Sequence, residues 1–203
     1  MSKIILDLCG GTGSWSRPYM EAGYDVRIIT LPDYDVRTYI PPDNVYGILA
    51  APPCTEFSVL NCKAEARKRD ENAGVEIVEA CLAIIDKCSP KFWALENPRG
   101  HLRKYLGYPA MTFQPWWYGD PWTKCTDIWG NFVVPEAIFS NWEDVPKISL
   151  YTRPNRNKPN FAYLHKSEWV KIPQLAFHKP VTDAEFRAMT PPGFACAFYE
   201  ANK

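Results

Sequence analysis

The stretch that decides the fold is KIILDLCGGTGS, residues 3–14 of a 203-residue chain. Its first half is an apolar run with the length of a buried strand, and its second half is a cluster of glycines that begins at Gly10. Glycines directly after a strand let the backbone approach a ligand closely, because no side chain stands between them. The stretch therefore predicts a strand followed by a ligand-binding turn.

The residues that follow continue the alternation of strands and helices. Apolar runs at 25–30, 46–51 and 91–95 predict three further strands. A short helix is expected through 18–22, and apolar residues at helical spacing predict a longer one over 74–87. We therefore predict an α/β chain with a Rossmann-like, mostly parallel sheet that is flanked by helices and binds its ligands at the carboxyl ends of the strands.

Two details of the first turn narrow the choice of ligand. The strand ends in an acid, Asp7, and no phosphate-binding lysine follows the glycines. Both details suit a cofactor without phosphates, such as S-adenosylmethionine. The alternative is a tight strand-to-helix turn that binds nothing.

A candidate nucleophile follows the third predicted strand, in the loop PPCTEFS at residues 52–58. The paired prolines stiffen this loop and set the direction in which Cys54 projects. A cysteine at the carboxyl end of a strand faces the ligand cleft, where a nucleophile has to lie. We therefore interpret Cys54 as a nucleophile, and the alternative is a buried, inert thiol.

A candidate acid follows the fourth predicted strand, in ENPRG at residues 96–100. That strand is almost wholly apolar, so we expect Glu96 to stand where burial ends. A carboxyl group in such a place can have its pKa raised and can hold a proton near neutrality. The alternative is a solvated acid or a helix cap.

The order and spacing of these motifs resembles the cytosine-C5 DNA methyltransferase family. DLCGGTGS at 7–14, PPCTEFS at 52–58 and ENPRG at 96–100 are similar to its D-L-F-x-G-x-G-G, P-C-Q-x-F-S and E-N-V motifs. YGDPWTKCT at 118–126 resembles its Y-G-x-P-Q-x-R-x-R segment, and TPPGFA at 190–195 resembles its closing motif. The resemblance covers nearly the whole chain outside about 133–181, and it is to compact members of the phage type.

This resemblance implies methyl transfer from S-adenosylmethionine to C5 of cytosine in DNA, through a covalent bond between the cysteine and C6. Cys54 would be the nucleophile and Glu96 the acid at N3. Asn97 would help to hold the loop, and Lys124 would stand where an arginine normally contacts the pyrimidine O2. The implied cofactor-binding residues are Asp7, Cys9, Gly10, Gly11, Gly13, Ser14, Thr30, Leu31, Asp35, Val36 and Pro52. Such an enzyme extrudes its target base from a duplex or meets it in a single strand.

Several positions depart from the family's pattern. The glutamine after the catalytic cysteine is Thr55 here, and the valine of E-N-V is Pro98. The Q-x-R-x-R triplet has become Trp122, Lys124 and Thr126, and the second predicted strand does not end in the acid that usually binds the cofactor ribose. These departures leave open a different pyrimidine, a different acceptor or an inactive site.

A basic segment stands where the family has its target-recognition domain. Residues 147–179 hold seven Lys or Arg residues against one acid, Glu168. We interpret 133–181 as a small, loop-rich basic insertion, and 1–132 with 182–203 as the catalytic core. Its charges and aromatic rings suit phosphate contacts and base stacking, although a solvated surface loop is the alternative. The leading nucleic-acid-binding candidates are Arg153, Arg156, Lys158 and Lys166.

Composition sets further limits. Hydrophobic residues make up 46% of the chain and charged residues 23%, the balance of a globular protein of about one domain. The seven cysteines include no CxxC pair and the three histidines are isolated, so we expect no metal site. With an odd number of cysteines and no apolar run of membrane-spanning length, we expect a protein of the cytoplasm, which would be the host's if the chain is viral. We also expect a monomer.

Three other functions stay open on the sequence. The same C5 chemistry could act on a free pyrimidine nucleotide or on RNA, in which case the basic segment would matter little. A catalytically silent protein that binds cofactor or nucleic acid would form no covalent adduct through Cys54. Transfer of a different group from a modified methionine cofactor is the third.

Overall fold

The computed structural model describes residues 2–58, 70–172 and 182–203, apart from the side chains of Lys166 and Trp169. A six-stranded sheet forms the centre of this part of the chain. Its strands are β1 Ile4–Leu8, β2 Asp25–Ile29, β3 Val45–Ala50, β4 Phe92–Pro98, β5 Met111–Phe113 and β6 Thr126–Asn131. They lie in the order β2-β1-β3-β4-β6-β5. The first four strands are parallel, and β6 runs antiparallel to both of its neighbours.

Helices connect and cover the strands. They are α1 Arg17–Glu21, α2 Glu71–Cys88, α3 Arg103–Leu106, α4 Asp183–Ala188 and α5 Pro192–Asn202. Short 3-10 helices lie at Pro115–Tyr118, Trp142–Asp144, Phe161–Tyr163 and Lys166–Lys171. The longest helix, α2, begins where the Asp70 carboxylate accepts a hydrogen bond from the Ala73 amide at 3.0 Å, which satisfies one of the free amides of the first turn.

Two apolar layers pack on the two faces of the sheet. Successive side chains of β1 point to opposite faces, so Leu6 and Leu8 join the layer that contains α2 while Ile5 joins the layer that contains α5. The α5 layer is rich in aromatic rings, and the Phe113 and Phe194 rings stack there with centroids 3.8 Å apart. A sheet covered by helices on both faces, with the strand order reversing between β1 and β3, is the predicted Rossmann-like α/β fold.

The structure differs from the sequence-based expectation around Glu96. The expectation that burial ends at this residue is wrong, because β4 continues to Pro98 and both Glu96 and Asn97 are buried. The physical reason is β6, which pairs Ile128 with Glu96 and Asp127 with Asn97 and so covers this end of β4. Neither β5 nor β6 was predicted, since β5 has three residues and β6 buries the polar side chains of Thr126 and Asp127.

A smaller apolar cluster is formed mostly by residues after β6, together with Trp122 before it. Phe161, Leu164 and Ile172 of the basic segment pack there against Trp122 and against Phe186 of α4. The segment also joins the rest of the chain through backbone hydrogen bonds, in which Thr123 donates to Pro159 and Phe161 donates to Thr123, each at 2.9 Å. The division of the chain at 133 and 181 stays a prediction.

Candidate active site

The carboxyl ends of three neighbouring strands bring the sequence motifs together. The parallel register aligns Leu8 of β1 with Ala50 of β3, and Ala50 with Leu95 of β4. The turn after β1, the loop after β3 and the end of β4 therefore emerge side by side. This edge is where open α/β sheets bind their ligands.

Glu96 is a buried acid at this edge, with only 9% of its surface exposed. Burial raises its pKa above the usual value, and the carboxylate of Asp127 adds to the rise while the ammonium of Lys124 opposes it. The Lys124 Nζ atom lies 4.0 Å from Glu96 Oε1. Glu96 can therefore hold a proton at a higher pH than an exposed glutamate.

Lys124 reaches Glu96 from the segment that precedes β6. Its ammonium donates hydrogen bonds to two backbone carbonyls at the end of α4, Arg187 O in the last turn at 3.2 Å and Met189 O just after the helix at 3.3 Å. An ammonium has three donors, so these two bonds leave one N–H for an acceptor at the site. The side chain thus connects the edge of the sheet to the C-terminal end of α4.

Cys54 is half-buried in the loop after β3. Burial raises the pKa of its thiol, the charge of Glu96 raises it further, and Lys124 lowers it. A protonated Glu96 carries no charge, so the thiolate forms more easily when Glu96 holds its proton. The protonation state of Glu96 thus influences how readily the Cys54 thiolate forms. Such a link suits a nucleophile and an acid that act on the same ring.

Asn97 fastens the Cys54 loop to β4. Its buried side-chain amide donates a 3.0 Å hydrogen bond to Pro52 O, two residues before the thiol. On the other side of Cys54, the amides of Phe57 and Ser58 both donate to Cys54 O, at 3.0 and 2.9 Å. The loop is therefore held on both sides of the thiol.

Asp7 is a fully buried acid at the end of β1. The Ser16 hydroxyl donates a 2.5 Å hydrogen bond to Oδ2, while Oδ1 has no hydrogen-bond partner among the described residues. Burial raises the pKa of this carboxyl to about 6, and the bonds from Ser16 oppose the rise. A Cβ atom at Gly10 would stand 2.4 Å from Asp7 Cγ, so only glycine fits beside the carboxyl.

These features fit a cofactor with a charged amino-acid end, such as S-adenosylmethionine. The orphaned oxygen of Asp7 is an acceptor for an ammonium group, and a buried acid gains from an opposite charge. Gly11 and Gly13 hold the turn with φ of +53° and +68°, a region that favours glycine. Pro52 is buried in the loop after β3, the strand next to β1, and its carbonyl accepts the hydrogen bond from Asn97.

Two residues of the turn already have partners elsewhere. Ser14 Oγ accepts a 2.8 Å hydrogen bond from the Thr190 amide, which joins the first turn to the segment before α5. The Cys9 thiol interacts with the Cys81 thiol of α2, and this hydrogen bond lowers the pKa of Cys9. The side chain of Cys9 therefore packs toward the core, and its contribution to a ligand would come from its backbone.

The residues predicted after β2 occupy different environments. Leu31 is exposed and Thr30 is half-buried at the carboxyl end of that strand. Asp35 accepts hydrogen bonds from the Arg37 backbone and guanidinium, which lower its pKa to about 2. Val36 is buried in the α2 layer. The charge of Asp35 also acts on Cys9, so this loop lies near the first turn.

Three of the four predicted nucleic-acid contacts line one cavity. Arg153, Arg156 and Lys158 share a pocket of about 400 Å³ with Thr123 and two tyrosines, Tyr151 and Tyr163. Thr123 is the residue before Lys124, so the pocket lies next to the candidate active site in the chain. The side chain of the fourth candidate, Lys166, lies outside the described part of the chain.

Sequence reasoning missed a buried network behind Glu96. The carboxylate of Asp127 accepts two hydrogen bonds from Arg103, both at 2.6 Å, and one from Thr112 at 2.7 Å. It also missed Asp120, whose buried carboxylate accepts from the Gly193 amide at the start of α5 at 2.9 Å. Asp120 stands inside the quoted segment YGDPWTKCT, but an acid in a loop carries no signal of burial.

The described residues offer neither a membrane-spanning helix nor a cluster of metal-binding side chains. No helix in residues 2–58, 70–172 and 182–203 has the length and apolarity to cross a membrane. Within the same ranges, no group of three or more His, Cys, Asp or Glu side chains is placed to hold a metal ion.

Known proteins that are similar to this chain are found among the solved structures. Neither the protein-family models nor the curated proteins include a match to this chain. Among solved structures, the chain is similar to an E. coli protein described as a "putative DNA modification methyltransferase encoded within prophage". The TM-score is 0.46 and the identity 17%, over 64% of this chain and 47% of that one. The chain thus spans about half the length of the structure that it matches.

Proposed function

We propose that this chain transfers a methyl group from S-adenosylmethionine to C5 of cytosine in DNA, through a covalent bond between Cys54 and C6. The observation that carries the proposal is the meeting of the Cys54 thiol, the buried Glu96 carboxyl and the Lys124 ammonium at one edge of the sheet. A nucleophile beside an acid of raised pKa is the pair that addition to a pyrimidine ring requires.

The first half of the reaction is an addition to the ring. Cys54 loses its proton to solvent, and the thiolate sulfur bonds to C6 while the C5=C6 electrons move into the ring. Glu96 donates its proton to N3, which neutralises the charge that develops there. Lys124, with one N–H beyond its two carbonyl bonds, lies beside Glu96 and can stabilise negative charge on the pyrimidine oxygen.

The second half restores the aromatic ring. After C5 gains the methyl group, a base removes the C5 proton and the S–C6 bond breaks, so that Cys54 leaves as a thiolate. N3 returns its proton to Glu96. Cys54 then regains a proton from solvent, so both groups end in the state in which they began, as a catalyst must.

When bound, S-adenosylmethionine supplies a methyl group on a positively charged sulfur, which is electrophilic enough to react with C5. Asp7 would bind its amino-acid end, and Gly10, Gly11 and Gly13 would let the backbone approach it. Asp35, Val36 and Pro52 would line the rest of its site, together with Thr30 and Leu31. The Cys9 N–H already donates to Ile29 O at 2.8 Å, so Cys9 would contribute through its carbonyl, and the N–H of Ser14 would be a further contact from the turn.

The test is nucleoside mass spectrometry on DNA incubated with the purified protein and S-adenosylmethionine. We expect new 5-methylcytosine that Cys54→Ala abolishes and that Cys196→Ala, an exposed cysteine on α5, leaves unchanged. The wild-type protein should also form a covalent complex, through Cys54, with an oligonucleotide that carries 5-fluorocytosine. No modified base on single- or double-stranded DNA, with cofactor binding intact, would contradict the proposal.

The same assay, run also with dCMP and with RNA, separates the other functions left open by the sequence. Methylation of free dCMP or of RNA, without methylation of DNA, would identify a different acceptor. A modified cytosine of another mass would identify a different transferred group. Cofactor binding without any covalent complex would identify a silent protein.

A further inference from the structure

The cavity that Thr123 lines together with the basic segment, here termed the insertion pocket, has the composition of an anion site. It is lined by Arg153, Arg156 and Lys158, and none of the described residues that line it is acidic. Its volume of about 400 Å³ lies within the range of about 300–1,000 Å³ that is usual for small-ligand sites. A pocket of this size can hold one nucleotide unit.

Two of the three cations are held in place by aromatic rings. The Arg153 guanidinium lies 4.3 Å from the centroid of the Tyr163 ring. The Lys158 ammonium lies 4.6 Å from the centroid of Trp116 and 5.4 Å from that of Trp142. A cation that is already ordered loses less conformational entropy when it binds a phosphate.

Tyr151 offers a flat face in the same pocket. About half of its surface is exposed, and its backbone amide is fixed by a 2.8 Å hydrogen bond to Glu168. Bases stack well on such rings, but a base inside a duplex is already stacked on both sides. The ring can therefore receive only a base that has left the stack.

We propose that the insertion pocket binds one unpaired nucleotide of a DNA strand, with its phosphate against Arg153 and Arg156 and its base against Tyr151. That the strand is DNA rests on the proposed function, whereas the phosphate and the unpaired base are inferred from the cations and the Tyr151 ring of the pocket. Because Thr123 lines the pocket and Lys124 adjoins Glu96, the bound nucleotide is a neighbour of the target cytosine. The protein accordingly prefers single-stranded DNA.

The test measures binding by fluorescence anisotropy with Cys54→Ala protein and no methyl donor, so its result is separate from the success or failure of methyl transfer. The probes are a labelled 12-nucleotide strand that contains cytosine, the same sequence as a duplex, and dCMP as a competitor. We expect the strand to bind at least tenfold more tightly than the duplex. Tyr151→Leu and Arg156→Gln should each weaken strand binding by about tenfold or more.

Salt dependence gives a second measure. Arg156→Gln should reduce the slope of log affinity against log salt by about 0.7, the value for one phosphate of a single strand. Lys87→Gln removes the same charge from an exposed site at the end of α2 and should leave strand affinity and slope unchanged. All variants should have the unfolding temperature of the wild-type protein. If one of them unfolds at a lower temperature, Arg153→Gln is used in its place.

Three results would overturn the inference. One is strand binding by Tyr151→Leu and Arg156→Gln that equals that of the parent protein. Another is a duplex that binds as tightly as the strand. The third is dCMP that competes at the same concentration as the unlabelled strand, which would assign the pocket to a free nucleotide.

Discussion

At the scale of single residues, Cys54 has two charged neighbours that act on its thiol in opposite directions. Glu96 raises its pKa and Lys124 lowers it. Glu96→Gln should therefore move the alkylation of Cys54 by iodoacetamide to lower pH, and Lys124→Met should move it to higher pH. The reaction is followed by mass spectrometry of the Cys54 peptide over a series of pH values. Identical profiles in the two variants would show that neither charge acts on the thiol.

The catalytic prediction for Glu96 is separate from its effect on the thiol. Glu96→Gln keeps the size of the side chain but cannot donate a proton to N3. Loss of a general acid typically slows a reaction by about 100- to 10,000-fold, so methyl transfer should fall by that factor even though the thiolate forms more easily. Single-turnover rates at saturating cofactor and DNA measure it. A rate within a factor of about three of wild type would exclude Glu96 as the acid.

Asp7 should make the stability of the free protein depend on pH. Its pKa is about 6 in the folded protein, above the usual 3.8, so folding favours the protonated form. The stabilisation is complete below pH 3.8 and is lost as pH rises through 6, a total of about 3 kcal/mol of which about half falls between pH 5 and 7. Asp7→Asn should lack this loss in urea unfolding. Parallel pH curves for the two proteins would contradict the assignment.

At the scale of elements, the turn after β1 depends on glycine for two different reasons. At Gly10 a Cβ atom would collide with the Asp7 carboxyl, whereas at Gly11 it would meet nothing within 4 Å and only the φ of +53° is unfavourable. Gly10→Ala should therefore abolish cofactor binding, and Gly11→Ala should cost about 1 kcal/mol of stability and leave binding largely intact. Calorimetric titration with S-adenosylhomocysteine and urea unfolding measure the two effects. Equal losses of binding in both variants would show that the collision with Asp7 is not what matters.

The same elements show what the sequence could and could not predict. β1, β2, β3 and α2 carry clear apolar periodicity, and their positions agree with the expectation within a few residues. Glu96 was expected at the end of burial because its cover, β6, is formed by residues that lie about 30 positions later and bury polar groups. Likewise, the partners of Lys124 and Ser14 are backbone groups near 187–190. Contacts with backbone groups cannot be predicted from residue types, because nearly every residue carries the same backbone groups.

At the scale of the whole molecule, residues 187–193 make hydrogen bonds to the turn after β1 and to the segment before β6, where the candidate active site lies. The Thr190 amide bonds to Ser14 in the first turn, and the carbonyls of Arg187 and Met189 hold Lys124. The Gly193 amide donates a hydrogen bond to the buried carboxyl group of Asp120, which fixes the first turn of α5 to the segment before β6. The candidate active site is thus assembled from both ends of the sequence, and it requires α5 to be packed on the sheet.

This dependence leads to a prediction about cooperativity. Phe194 of α5 is fully buried, stacks on Phe113 and packs against Trp15, so Phe194→Ala removes contacts with two other parts of the chain. We expect a loss of about 3–5 kcal/mol in the free energy of unfolding, because a cavity would remain in the aromatic layer. Cys196→Ala, two residues further along the same helix, should change it by less than about 0.5 kcal/mol, since Cys196 is exposed.

Urea unfolding followed by both tryptophan fluorescence and far-UV circular dichroism tests the prediction. If α5 and the sheet form one cooperative unit, the two signals of Phe194→Ala change together at a lower urea concentration, and cofactor binding is lost at that same concentration. Separate transitions would instead mean that α5 detaches while the sheet stays folded. The contacts of Thr190 and Lys124 would then be lost before the core unfolds, and cofactor binding would fail at a lower urea concentration than the main transition.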